Sequence, residues 1–143
     1  MTQEHKDILL KDLCARLPYY VKAEYYTTEG TEIGIIDGIY RHDLSVVIND
    51  NEISIFDIKP YLFPMSSMTE EMWDKEFREY SITEFTRDSF KYGCETLEFH
   101  DSNPNLSNTI NFINKLLKNH FDIYGLIPMG LAIDATGLNI YWL

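Results

Sequence analysis

Apolar side chains near the start of the chain recur at helical spacing. Ile8, Leu9, Leu10, Leu13, Cys14 and Leu17 fall on one side, and Lys6, Asp7, Lys11 and Asp12 lie largely outside it. The pattern predicts an amphipathic helix over residues 2–17, capped by Thr2 and stopped by Pro18. The period then changes to two. Val21, Ala23 and Tyr25 alternate with Lys22, Glu24 and Tyr26, which predicts a strand beginning near Tyr19-Tyr20. Three more strands are expected. The first covers 31–40, entered through Glu29-Gly30 and interrupted at Asp37-Gly38, where glycine marks a bulge. The second covers 44–48 and closes on Asn49-Asp50-Asn51, and the third covers 52–58. Short antiparallel strands joined by tight turns form a meander that can curl into a small barrel, and the rhythm over about 19–63 resembles Tudor-like barrels.

Residues 53–71, ISIFDIKPYLFPMSSMTEE, form a junction. Lys59-Pro60 and Phe63-Pro64 are expected to end the β-run, because proline cannot donate to a ladder and pushes the preceding residue away from helical geometry. Ser67-Met68-Thr69-Glu70 then spells a capping box. A helix is predicted over 69–80, with Met72, Trp73, Phe77 and Tyr80 inward and Glu70, Glu71, Asp74, Glu76 and Glu79 in solvent. Residues 82–92 alternate weakly, and 96–99 read as a strand. After the turn cluster at 101–105, a second helix is expected from about Leu106 to His120, with the stripe Leu106, Ile110, Ile113 and Leu117 supported by Phe112, Leu116 and Phe121. Gly125, Pro128, Gly130 and Gly137 break up the tail, where 131–133 and 138–143 are terminal strand candidates. The predicted fold is a single α+β domain over 1–143: helix at 1–18, a four- or five-stranded β-rich part at 19–63, and a mixed part at 64–143 with two helices packed on the sheet.

Composition narrows the class. At 143 residues and 45% hydrophobic, the chain can bury one core. No run approaches the roughly 18 apolar residues of a membrane span, and MTQEHKDILLKD lacks a signal-peptide layout, so a soluble, cytoplasmic protein is expected. Cys14 and Cys94, with no CxxC between them, are expected to be buried reduced thiols. Net charge is −11, and residues 66–101 alone hold 10 acidic against 4 basic side chains. Such a surface repels phosphate backbones and anionic lipid, which argues against direct nucleic-acid binding and suits a basic partner.

Three segments carry a resemblance: LLKDLCARLPYYVK (9–22), IKPYLFPMSSMTEE (58–71) and INKLLKNHFDIYGLIPMGLAID (113–134). They are similar to small proteins encoded by phages and prophages of gut Bacteroides, which share the opening helix, the KPYL-P-SSMTEE junction and a GLI-x-x-GLAI ending. The resemblance covers most of the chain, with a variable middle at roughly 75–105. It implies a mobile-element origin, expression in bacterial cytoplasm and an accessory role, and it brings no catalytic or ligand residues. The step Pro18-Tyr19-Tyr20 has tyrosine where the group commonly has glycine, and Pro128 stands where a charge is usual.

The residues offer little catalytic chemistry. His5, His42, His100 and His120 have no second histidine or cysteine three or four positions away, so neither a metal site nor a cofactor is expected. His100-Asp101 and His120-x-Asp122 can be read as carboxylate-oriented imidazoles, or, for His120, as a cation at a helix C-terminus. GxSxG, Walker, GxGxxG and HExxH patterns are missing, and no enzyme is expected. Aromatics are 14% of the chain, with ten tyrosines, and tyrosine suits interfaces. The expected function is therefore a non-catalytic accessory protein that binds a host bacterial protein, a basic nucleic-acid-handling one, and inhibits a defence system. Its expected contact residues are Glu70, Glu71, Asp74, Glu79, Tyr19, Tyr20 and Tyr26. Two alternatives stay open: a protein that sequesters a nucleotide signal, drawing on Lys22, Arg41, Lys59, Arg87 or Lys91, and a virion or replication accessory. Homo-oligomerisation also stays open.

Overall fold

The computed structural model of the chain describes residues 1–77 and 106–141. Helix α1 covers Gln3–Arg16, and the Thr2 hydroxyl caps it by accepting from the His5 amide at 3.1 Å. A 3₁₀ turn at Leu17–Tyr19 ends on Tyr20, whose φ of 59° lets the chain turn into the sheet. Five antiparallel strands follow: β1 Lys22–Thr27, β2 Gly30–Tyr40, β3 Ser45–Ile48 and β4 Asn51–Ser54 form a meander, and β5 Ile58–Leu62 crosses back to pair with β1. A later two-residue strand, β6 Ile133–Asp134, adds to β5 in parallel, giving the order β4-β3-β2-β1-β5-β6. The α+β class is as predicted, and the sheet is open rather than a closed barrel.

Turn chemistry sets the register. Asn49 and Asp50 have φ of 48° and 63°, the two left-handed positions of a type I′ hairpin, so Ile48 pairs with Asn51. β2 is shared: residues 30–35 pair with β1, residues 36–40 pair with β3, and the register shifts between Ile36 and Gly38. The extra residue there is Asp37, a bulge of the kind that bends a strand and increases its twist. Val21, Ala23, Tyr25, Ile36, Val46, Ile48, Ile55, Ile58 and Leu62 form one buried cluster with Leu9 and Leu13 of α1 and with Leu126, Leu131 and Ala132 from the tail.

Several expectations are corrected. The predicted strand at 52–58 breaks after Ser54 into a 3₁₀ turn at Ile55–Asp57. Pro60 does not end a strand but sits inside β5 opposite Ala23. Pairing with β6 begins only at Tyr61, so Pro60 has a paired neighbour on one side alone and its missing donor is tolerated. Ser67 is not the helix cap: its hydroxyl donates to the Pro64 carbonyl, while Thr69 accepts from the Met72 amide at 3.1 Å. The helix that follows, α2, makes one α-turn at Glu70–Met72 and widens into a π-turn at Trp73–Phe77. Helix α3 covers Leu106–Lys118 and buries Phe112, Leu116 and Leu117, whereas Ile110 of the predicted stripe is 49% exposed. These rings and aliphatics meet Met65, Met68, Phe77 and Phe121 in a second core, bordered by Tyr19, Met72 and Trp73. The terminal strand is Ile133–Asp134, and 138–141 is not a strand. The expectations for residues 78–105, among them Tyr80, the weak alternation at 82–92, Cys94, His100 and the strand at 96–99, lie outside the described residues.

Candidate interaction surfaces and a buried polar seam

The predicted contact residues separate into two groups. Glu70, Glu71 and Asp74 are exposed around the first turn of α2, where carboxylates complement the helix dipole. Their neighbour Glu76 instead forms a 3.1 Å ion pair with Lys115, which ties α2 to α3. Glu79 lies outside the described residues. Of the tyrosines, Tyr19 is half-buried against the second core, while Tyr20 is 71% and Tyr26 67% exposed. Tyr20 precedes β1 and Tyr26 lies near its far end, which at about 3.3 Å per residue puts the two roughly 20 Å apart. The three tyrosines therefore do not form one patch.

Tyr26 does have apolar company. The β1–β2 register pairs Tyr26 with Thr31 and Glu24 with Ile33, so Tyr26 and Ile33 are diagonal neighbours on the outer face of the sheet. Ile33 is 44% exposed. On the opposite face, Tyr25 is fully buried and its hydroxyl donates to Glu32 at 2.8 Å. Asn49 of the hairpin turn donates to that same hydroxyl at 3.0 Å and to the Ile33 carbonyl at 3.3 Å.

Where α1 meets the returning C-terminal segment, the interior is ionic. Asp12 and Arg16, one helical turn apart, are both fully buried and bonded through two contacts of 2.7 and 3.0 Å. The same guanidinium donates to the Phe121 carbonyl. Asp12 is thus a core residue and not part of a solvent face, because burying it with its partner costs less than burying either alone. α1 is turned accordingly: Leu9, Asp12, Leu13 and Arg16 point inward, and Cys14, expected to be buried, is exposed.

Phe121 is fixed by the end of α3. The His120 amide donates to the Leu117 carbonyl and the Phe121 amide to the Leu116 carbonyl, with His120 at φ 64°. This is a Schellman cap with histidine where glycine is usual. The chain then runs beside β5, as Phe63 donates to the His120 carbonyl and Asp122 donates to the Phe63 carbonyl, each at 2.8 Å. The Asp122 carboxylate accepts from the Leu126 and Ile127 amides at 2.8 and 2.9 Å, capping the next turn. Burial nonetheless holds its pKa above the usual carboxylate value.

His120 fits neither reading offered for it. Asp122 is spent on backbone amides, so no carboxylate of that pair orients the ring. Nor is the imidazole a cation at the helix end. Burial, with Arg16 and Lys22 nearby, lowers its pKa to about 4. The neutral ring stacks on Tyr141, 3.7 Å between centroids and 10° from parallel. The Tyr141 hydroxyl donates to the Tyr61 carbonyl at 2.6 Å and accepts from the Lys22 amide at 3.0 Å, and burial pushes its pKa up to about 12. Lys22 adds a 2.7 Å bond from its ammonium to the Ile140 carbonyl. Sequence patterning singles out Asp122 in another role and misses Arg16 and Tyr141, although Asp12 and Arg16 at i and i+4 are a visible ion-pair spacing.

His42 and Asp43 stand 3.8 Å apart and are exposed, and His100-Asp101 lies outside the described residues. Among the described residues no group of three or more His, Cys, Asp or Glu side chains converges as a metal site, and no helix is long and apolar enough to cross a membrane. Compared with protein-family models, with curated proteins and with solved structures, the chain gives no match in any of the three.

Proposed function

We propose that this chain is a non-catalytic accessory protein of a phage or mobile element, and that it acts in bacterial cytoplasm by binding a host protein. The observation that carries this reading is the Tyr26–Ile33 pair, two large side chains left 67% and 44% exposed on the outer face of the sheet. Aromatic and aliphatic anchors of this kind, rimmed by charge, supply most of the energy in protein–protein contacts. The acids Glu70, Glu71 and Asp74 favour a basic, nucleic-acid-handling partner, since charge complementarity accelerates encounter. Blocking a bacterial defence system is the role that such a partner and the phage-like sequence suggest.

The nucleotide-sequestering alternative has less support. Lys22 is committed to the Ile140 carbonyl, Lys59 lies opposite Glu24, and Arg41 leaves the far end of β2. No cationic cluster results from these three. The test is affinity capture from host lysate, repeated with Tyr26→Ala/Ile33→Ser and with Glu70→Lys/Glu71→Lys/Asp74→Lys. A specific protein retained by the wild type and lost with the first variant supports the proposal. Retention that is indifferent to both variants and to high salt overturns it.

A further inference from the structure

The turn of α1 that buries Asp12 and Arg16 has a second consequence. Asp7, Leu10, Lys11, Cys14 and Leu17 recur at helical spacing and form a stripe beside the core-facing one. That stripe is not covered: Leu10 and Leu17 are half-buried and Cys14 is exposed. With Ile39 and Arg41 from the end of β2 it walls a cleft of about 510 Å³, within the roughly 300–1,000 Å³ of small-molecule sites.

The chemistry of the walls is uneven. Leu10, Leu17 and Ile39 give aliphatic surface that continues into the sheet core. Two cations, Lys11 from the helix and Arg41 from beyond the strand, face the same space, in a protein whose net charge is −11. Among the described residues neither has a carboxylate within ion-pair distance. Asp7 is the single acid among the described lining residues, and Gln3 donates to its carboxylate at 2.9 Å. Among the described residues no aromatic ring lines the cleft, so a nucleobase would find no stacking partner there.

We infer that the cleft between α1 and the end of β2 binds a small amphiphilic anion, a carboxylate or phosphate head on an aliphatic chain. The head pairs with Lys11 and Arg41, and the chain lies along Leu10, Leu17 and Ile39. The site is separate from the Tyr26–Ile33 surface and does not depend on the function proposed for it.

Cys14 makes the inference directly testable, because it lines the cleft and is open to alkylation. The full chain is treated with iodoacetamide in the presence of decanoate, decyl phosphate, decanol or adenosine monophosphate, all below micellar concentration. Peptide mass spectrometry then reports Cys14 separately from Cys94. Decanoate and decyl phosphate are expected to slow Cys14 alkylation several-fold while decanol and the nucleotide do not. Lys11→Glu/Arg41→Glu should weaken decanoate protection by about ten-fold with an unchanged circular dichroism spectrum. If decanol protects as well as decanoate, or the double charge reversal leaves protection intact, the anion-specific site is wrong. Equal protection by the nucleotide removes the aliphatic component. If only the phosphate protects, the head is a phosphate and the carboxylate is excluded, which confirms the cleft and narrows its ligand.

Discussion

The sheet and the seam beneath α1 bury side chains equally well but hold together by different means. In the core beneath the sheet, Val21, Ala23, Val46, Ile48 and Ile55 have no exposed surface, and their neighbours are also apolar. In the seam, Asp12 and Arg16 are just as buried, Asp122 is 1% exposed, and each makes directed polar contacts. Apolar burial is non-directional and roughly proportional to area, so loss of one methyl group costs little and neighbours partly relax. A buried charge has no such tolerance, since removing its partner strands it in a medium that cannot solvate it. The seam also joins parts of the chain far apart in sequence, α1 at one end and residues 121–127 at the other. The comparison therefore separates bulk stability from the element that fixes how the tail returns.

The largest expected effect tests that asymmetry. Arg16→Met leaves Asp12 buried without its cation and the Phe121 carbonyl without its donor. It should cost about 3–5 kcal/mol, against about 0.5–1.5 kcal/mol for Ile48→Val in the sheet. Removing both charges together, Asp12→Leu/Arg16→Met, should recover much of the loss, because a well-packed apolar pair can replace a buried ionic one. Urea denaturation of the four proteins measures this. Equal costs for Arg16→Met and Ile48→Val would erase the distinction between the two regions.

A smaller effect separates them by pH. His120 has its pKa lowered to about 4 from an ordinary 6.5, so the unfolded chain binds the proton more readily than the native one. The stabilisation is complete above about pH 6.5 and is lost as pH falls toward 4. The imidazole is partly exposed, so the loss should be on the order of 2 kcal/mol and not the full value of the shift. Stability measured between pH 7 and 5 should therefore fall for the wild type and fall less for His120→Asn, which accepts φ > 0 but does not titrate there. Asp122 titrates with the opposite sign, because burial raises its pKa, and its contribution belongs to the carboxylate range at lower pH. A wild-type curve as flat as that of His120→Asn would show that the seam does not exclude the proton.

Legibility in the sequence divides along the same line. The sheet was readable because its signals are local: period-two alternation in β1, Asn49-Asp50 for a type I′ turn, and glycine beside the bulge at Asp37. Pro60 was misread because the rule that excludes proline from strands depends on neighbours that only the fold supplies. The pattern marks α1 as a helix but turns it to the wrong face, since a hydrophobic stripe ranks Cys14 above Asp12 while the ion pair ranks them the other way. The cap after α3 was hidden by His120 in the position that glycine usually marks. Of the predicted contact residues, Glu70, Glu71, Asp74, Tyr20 and Tyr26 are exposed, yet nothing in a linear pattern could say that Tyr20 lies before β1 and Tyr26 near its far end. Convergence is a property of register, and it was register that joined Tyr26 to Ile33 instead.

The smallest expected effect lies within the sheet and asks whether it too contains a directed polar device. A Cβ on Gly34 would fall 2.5–2.6 Å from the Asn49 side-chain amide. That amide is the partner of the Tyr25 hydroxyl and the Ile33 carbonyl. Gly34→Ala should therefore push Asn49 off both acceptors at a cost of about 1 kcal/mol, the value of a typical hydrogen bond, without disturbing the pairing of β1 and β2. Asn49→Gly keeps the left-handed turn at φ 48° and removes the obstructing side chain, so in that background Gly34→Ala should be close to neutral. The double-mutant cycle then reads a coupling of similar size between positions 34 and 49. Additive costs would place the penalty in the β2 backbone instead, and leave the sheet as a purely apolar construction beside the ionic seam.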